Sequence, residues 1–191
     1  MNLMNYGLSP DTLMENNHGN IARITAVHKE RYSLVCEQGE CFGRLKSSVY
    51  YGSGTEEFPT VGDFVLVQYN PAGDSLILKT LPRSSKFARN DFSGHAAAYV
   101  KTVLEQVVAA NFDYVFIMAS LNRDFNLKRI ERYLTLGWQS GAVPVVILTK
   151  ADLVEDFSEQ VQAVKMIAAG AEVFAVSAKS RFGLDNLTGY L

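Results

Sequence analysis

The residues best suited to chemistry are Thr149-Lys150-Ala151-Asp152 and, about 28 positions later, Ser177-Ala178-Lys179. An ionised Asp accepts only, through two oxygens that together meet the N1–H and exocyclic amino group of guanine, a pair of donors that adenine lacks. Asp152 is thereby the candidate reader of a guanine base. The Lys150 stem can lie over one face of the purine, and Thr149, where Asn is commoner, can tie the loop to its neighbours. In the second loop the Ala178 backbone N–H suits guanine O6 and Ser177 is placed to brace Asp152. Alone, a Thr-Lys-x-Asp match is weak, because Lys-x-Asp at a strand end is usually a solvated turn.

The elements around the two loops give them their weight. Val143 to Leu148 has no polar member and is rich in β-branched residues, as expected of a parallel strand buried on both faces. Such strands carry their chemistry at the carboxyl end. From Asp113 the pattern alternates: a strand Tyr114 to Ala119, a helix Asn126 to Gln139, the strand Val143 to Leu148, a helix Phe157 to Ala169, a strand Glu172 to Val176 and a helix Leu184 to Leu191. One-helix crossovers require right-handed connections, which predicts a three-stranded parallel sheet in the order 114–119, 143–148, 172–176. Asn126 is the expected N-cap, Gly141 the stop, and Trp138 is expected in the core. Two strand-end loops one βαβ unit apart correspond to the G4 and G5 base-reading elements of a GTPase.

Upstream the period changes. Ile21 to His28, Arg31 to Glu37, Glu40 to Leu45, Asp63 to Tyr69 and Ser75 to Leu81 are short β-rich runs separated by turn residues, the layout of an OB-fold barrel. A two-residue Gln38-Gly39 turn would set Cys36 opposite Cys41, two thiols expected to be small core residues. OB-folds bind nucleic acid through basic and aromatic side chains together. Arg23, Lys29, Arg31, Arg44 and Lys46, with Tyr50 and Tyr51, are the candidates here, against the alternative of an ordinary solvated face. Residues 1–18 form a loosely docked tail and 19–82 the barrel. Residues 83–109 combine a basic linker, with Arg83, Lys86 and Arg89 as further RNA candidates, and an apolar helical stripe at Val100, Val103, Leu104, Val107 and Val108. Residues 110–191 form the α/β unit.

The 191 residues are 48% apolar with a formal net charge of −2, enough for one or two modest cores and too little positive charge to hold nucleic acid by bulk attraction. No run approaches 18 apolar residues and no signal-like N-terminus is present, so no membrane partner is expected and the cytoplasm is the default compartment. Two cysteines cannot build a zinc site unaided. The phosphate-cradling G-x-x-x-x-G-K-[ST] loop does not occur, and the Asp-x-x-Gly segment for the γ-phosphate side is expected to be missing too.

An OB-like domain followed by base-reading loops, with no phosphate loop ahead of them, resembles the RsgA (YjeQ, YloQ) family of circularly permuted GTPases. The residues carrying the resemblance are Val61-Gly62-Asp63, Ala109-Ala110-Asn111-Phe112-Asp113, Asp124-Phe125-Asn126-Leu127 with Arg132-Tyr133-Leu134, and the two base loops. It implies a protein that binds GTP and GDP with Mg²⁺, hydrolyses GTP, and assists maturation of the small ribosomal subunit while docked on ribosomal RNA. It also implies a phosphate loop, switches and a zinc-binding domain further along, so that this chain is expected to be an N-terminal fragment, inactive by itself and with no catalytic residue of its own. The alternative is a stand-alone RNA-binding adaptor with a non-catalytic half G domain. A phosphate loop encoded after Leu191 would separate the two.

Overall fold

The computed structural model describes residues 1–15, 20–50, 58–91 and 104–190. The chain divides into two compact units, Met1–Phe112 and Asp113–Leu191. In the first, β1 (Asn20–Val27), β2 (Tyr32–Cys36), β3 (Gly39–Leu45), β4 (Phe64–Gln68) and β5 (Ser75–Thr80) close into a barrel in the order β1-β2-β3-β5-β4. The interior is filled by alternating residues such as Ile24, Leu34, Val65 and Ile77, as the period-2 pattern requires. The expected five-stranded barrel is thus present.

Several local expectations fail for identifiable reasons. In the β2–β3 hairpin, Cys36 faces Gly39 and Leu34 faces Cys41. The turn is therefore Glu37-Gln38, and Gly39, at φ +121°, lies within the strand. The thiols still meet diagonally, Sγ to Sγ 3.9 Å, and are free. Burial, helped by the neighbouring Cys36, pushes the Cys41 thiol up to about 11, the behaviour of an inert packing residue. The N-terminal segment is docked rather than loose: a 3-10 helix Leu3–Tyr6 precedes α1 (Pro10–Glu15), and Leu3 and Leu8 are buried against Ile21, Phe64 and Leu81. A short helix α2 (Ser47–Tyr50) follows β3.

The expected basic linker and helix are instead two antiparallel strands, β6 (Lys86–Asp91) and β7 (Leu104–Ala110), with a bulge at Phe87/Ala88. Valines at helical spacing also suit a strand, since β-branched side chains prefer it whenever a partner strand supplies the ladder. Val100 and Val103 lie outside the described residues. After β7, Asn111 takes the left-handed conformation at φ +54° and gathers four connections. Its N–H donates to Ser85 O, its amide donates to Gly62 O and accepts from Ser84 N, and its carbonyl accepts from Arg23. Gly62, at φ +90°, allows this approach, because a Cβ there would be driven into the Ala110 carbonyl oxygen.

The second unit is a three-stranded parallel sheet with β9 (Val143–Thr149) central between β8 (Tyr114–Ser120) and β10 (Glu172–Ala175). This is the predicted order. Val145, Val146, Ile147 and Leu148 are all buried, each worth about 1.5–3 kcal/mol of transfer free energy. Helix α3 (Leu127–Gln139) starts at the Asn126 cap, whose side chain accepts from Arg129 N. Trp138, expected in the core, is 42% exposed. The helix approaches the sheet through Gly137, where a Cβ would stand 3.0 Å from Pro144 and 3.2 Å from Val115, and the next residue is turned away. Helix α4 (Ser158–Ile167) covers the sheet with Val164 and is shorter than expected. The C-terminal segment is a 3-10 helix, Leu184–Tyr190, whose Tyr190 ring packs edge-on against Tyr114 and Phe174.

Candidate nucleotide-base site

Because all three strands are parallel, their carboxyl ends carry three loops at one end of the sheet. The loop after β9 turns immediately: Lys150 is left-handed at φ +61°, and a 3-10 turn Ala151–Leu153 follows. A non-glycine residue holds this conformation only where its surroundings fix it. Here Leu153 N donates to Lys150 O over 3.1 Å, and Ala151 N donates to Val176 O over 3.1 Å, which joins the loop to the end of β10.

The second loop is fixed as firmly. Ser177 is fully buried; its N–H donates to Phe182 O at 2.9 Å, and its hydroxyl accepts from Ser180 N at 3.1 Å. The same hydroxyl donates to Asp152 Oδ1 over 2.6 Å. The Ser177 hydrogen bond, with a smaller contribution from Lys179, holds the Asp152 carboxyl below the usual carboxylate range against partial desolvation. Asp152 is exposed, and Ser177 engages its carboxylate through Oδ1. The site is thus an ionised carboxylate held in orientation from below and open above. Ala178 and Lys179 are exposed at the crest of the second loop, and Lys150 at that of the first.

Thr149 joins this loop to the end of β8: its hydroxyl reaches Ala119 O over a long 3.4 Å, and its carbonyl accepts from Leu121 N at 2.9 Å. The third loop, after β8, was given no site role from sequence, although Asp124 stands in one of the segments that carry the resemblance. Ser120 donates to Asn122 Oδ1 at 2.9 Å, and Asp124 is held by Arg129 through bonds of 2.7–3.3 Å. Arg129 lowers the Asp124 pKa, with a lesser effect from the Lys150 charge. The readable signal was Ser120-x-Asn122-x-Asp124, turn-forming polar residues directly after a strand adjacent to β9.

The RNA candidates are dispersed within the first unit. Arg83 is committed internally, with its guanidinium on both oxygens of fully buried Asp63 at 2.8 and 2.7 Å and on Phe58 O at 3.0 Å. Arg23 donates to Asn111 O and lies 5.1 Å from the Phe64 ring centroid. Arg31 and Arg44 converge on Asp74 at 2.6 Å each, with Arg31 stacked 3.8 Å above Phe42. Lys29 and Lys46 are exposed, while Lys86 is half-buried on β6. Arg89 lies on β6 opposite Gln106. The side chain of Arg89 and that of Tyr50, and all of Tyr51, lie outside the described residues. Of the three cations in 83–89, the Arg83 side chain is engaged by Asp63.

Among the described residues no group of three or more His, Cys, Asp or Glu stands together. A zinc site takes three or four such ligands together, so the described residues do not fit the zinc that the resemblance implies further along the family's chain. An Asp-x-x-Gly spacing, which was expected to be missing, does occur at Asp91-Phe92-Ser93-Gly94, with Phe92 to Gly94 outside the described residues. No helix among the described residues is long and apolar enough to cross a membrane.

Comparison with known proteins agrees with this architecture. Residues 80–191 match the family model "RsgA GTPase". The chain is 43% identical over 165 residues to "Small ribosomal subunit biogenesis GTPase RsgA 1" of Listeria monocytogenes, covering 86% of this chain and 44% of that protein. It is 34% identical over 195 residues to RsgA 2 of Lactiplantibacillus plantarum, covering 100% of this chain and 53% of that one. The chain thus spans about half the length of the curated relatives it matches. In fold it is similar to YjeQ from Thermotoga maritima, with a TM-score of 0.66 at 18% identity over 90% of this chain and 56% of that one. YloQ, described as a circularly permuted GTPase, matches with a TM-score of 0.64 at the same identity and coverage. Barrel, permuted sheet and family model coincide: the chain belongs to the RsgA GTPase family.

Proposed function

We propose that this chain supplies the guanine-reading half of a GTPase acting in small ribosomal subunit biogenesis, with its barrel contributing contacts to ribosomal RNA. The observation that carries the reading is the 2.6 Å bond from Ser177 to Asp152. It joins two loops on different strands and fixes an ionised, exposed carboxylate where a base can reach it. Asp152 accepts from guanine N1–H and the exocyclic amine, Ala178 N–H donates to O6, and the Lys150 stem covers one face. Adenine presents an acceptor where guanine presents N1–H, and a buried polar group left unpaired costs about 1–3 kcal/mol. Hydrolysis itself, and the gathering of phosphates and Mg²⁺, is assigned to no residue of these 191.

The test is amide NMR of the chain titrated with GDP and with ADP. GDP is expected to shift the signals of Lys150, Asp152 and Ala178, and ADP to leave them in place. Equal shifts with the two nucleotides would remove the base-reading assignment. For the barrel, Lys29 and Lys46 are the exposed cations to substitute, and unaltered RNA binding by the double variant would remove them from the interface.

A further inference from the structure

Of the three loops at the carboxyl end of the sheet, those after β9 and β10 carry the proposed base contacts, and the one after β8 is held just as firmly. The parallel register sets Ser120 beside Thr149, and Leu121 N donates to Thr149 O at 2.9 Å, so the chain leaves β8 alongside the residue that precedes Lys150. Asn122 then turns the loop: its Oδ1 accepts from the Ser120 hydroxyl at 2.9 Å and from Asp124 N at 3.3 Å, and its carbonyl accepts from Phe125 N at 3.0 Å. Asp124 is thereby placed just ahead of α3, where Arg129 donates to its two carboxylate oxygens at 3.3 and 2.9 Å and to its carbonyl at 2.7 Å. A carboxylate offers about four lone-pair positions, and with its side chain 71% exposed the bonds from Arg129 do not exhaust Asp124. The charges sort accordingly. Asp124, held low first by Arg129, is lowered further by the Lys150 charge, whereas Asp152, held low first by Ser177, is lowered further by that of Lys179. With β9 central, Lys150 has the Ser177 loop on one side and the Asp124 loop on the other, and its charge is felt on the Asp124 side.

We infer that Asp124 is a positioning residue of the guanine site: held by Arg129, it anchors the Lys150 ammonium and so stretches the Lys150 stem across the place of the base before a nucleotide arrives. This role rests on the base-reading assignment above and adds the loop after β8 to it. The left-handed backbone at Lys150, φ +61°, fixes where the stem begins. A second fixed point at its far end defines the path between. A long, free side chain gives up rotamer freedom when it covers a base, and an ion pair that fixes the head beforehand removes part of that cost from binding. The pair is exposed, so its effect on affinity is modest, about two- to fivefold.

The experiment is NMR of the whole chain titrated with GDP, for the wild type, Asp124→Asn, Lys150→Met and the double variant. Asn keeps an oxygen for Arg129 and Met keeps an apolar stem, so each change removes one charge of the pair and little else. Without nucleotide, the two ε-methylene protons of Lys150 are expected at distinct shifts in the wild type and at one shared shift in Asp124→Asn. A shared shift already in the wild type would mean an unanchored stem and overturn the role. Each single variant is expected to weaken GDP binding about two- to fivefold, and the double variant no more than either alone, since both remove the same interaction. Losses that multiply in the double variant would overturn the role, because a loss caused by loosening of the loop after β8 is independent of the lysine charge. Unchanged GDP affinity in Asp124→Asn, with GDP still shifting Lys150, Asp152 and Ala178, would overturn it and leave the base site standing. Tighter GDP binding by Asp124→Asn would make the carboxylate a repeller of phosphates and overturn it as well. A wild-type chain in which GDP moves none of those three signals would overturn the base reading and this role together.

Discussion

Ser177 and Asp152, 25 residues apart in sequence, are joined by a hydrogen bond of 2.6 Å in which the fully buried hydroxyl orients the exposed carboxylate. Replacing Asp152 by Asn removes an acceptor that guanine needs and supplies a donor that the 2-carbonyl of xanthine can use. In the intact protein, selectivity should move from GTP toward XTP, with a loss for GTP on the order of ten- to hundredfold. Competition between the two nucleotides measures it, and unchanged preference would place base reading elsewhere.

The same bond sets a pH dependence. The folded-state pKa of Asp152 is depressed, first by Ser177 and then by its own backbone and Lys179. The brace is therefore fully present above the ordinary carboxylate value of about 4 and is lost as pH falls through the depressed value. Ser177→Ala should raise the Asp152 pKa toward the ordinary one, as seen by carboxyl carbon NMR. A titration indistinguishable from wild type would show that the hydroxyl is not the cause.

Arg83 gives a contrasting expectation. Its partner Asp63 is fully buried and also accepts from Thr60 N at 2.8 Å. Removing one member of such a pair strands the other, so Arg83→Met should destabilise the first unit by about 3–5 kcal/mol. Urea denaturation reads this. A wild-type midpoint together with a reduced RNA salt slope would return Arg83 to the surface role expected from sequence.

Nucleotide affinity should be low in the 191-residue chain. Most binding in such sites comes from phosphates gathered by backbone N–H groups, a Lys and Mg²⁺, and the sequence contains no G-x-x-x-x-G-K-[ST] loop to gather them. Calorimetry with GDP should give binding no tighter than roughly millimolar, about 4 kcal/mol, and no GTP turnover. Micromolar binding would mean that a phosphate site exists among these residues.

Gly183 ends the second base loop at φ +70°, and a Cβ there would be driven into the Ala175 carbonyl oxygen. Gly183→Ala should cost more than about 1–2 kcal/mol, the left-handed penalty alone, and should loosen the Ser177 loop, visible as faster amide exchange at Ser177. Unchanged exchange would show that the loop tolerates the shift.

What could be seen in the sequence was what local pattern dictates. An all-apolar run ending at Thr149-Lys150 announced a central parallel strand, and Asn126 announced a helix start. What could not be seen depended on partners distant in sequence. Leu104 to Ala110 fits a helical stripe until Lys86–Asp91 lies beside it and completes a ladder. Arg83 looks like a free cation until Asp63 is found beneath it. Gly39 looks like a turn residue, and only the pairing of Val35 with Glu40 shows that the turn falls one position earlier. The base loops themselves were legible as residue types, whereas the Asp124–Arg129 pair beside them required knowing which strand neighbours β9.

Asn111 has a practical consequence for dividing the chain. Its four connections reach Arg23, Gly62, Ser84 and Ser85, and the Ser85 hydroxyl both donates to Phe112 O at 2.6 Å and accepts from Phe112 N at 2.8 Å. A piece cut after residue 82, where the barrel pattern ends, would leave the Gly62 carbonyl and the Arg23 guanidinium without these partners and, lacking Arg83, would strand the buried Asp63 carboxylate. The smallest piece to express as an autonomous barrel therefore ends beyond Phe112, and a protease given the folded chain should spare the peptide bonds around Asn111.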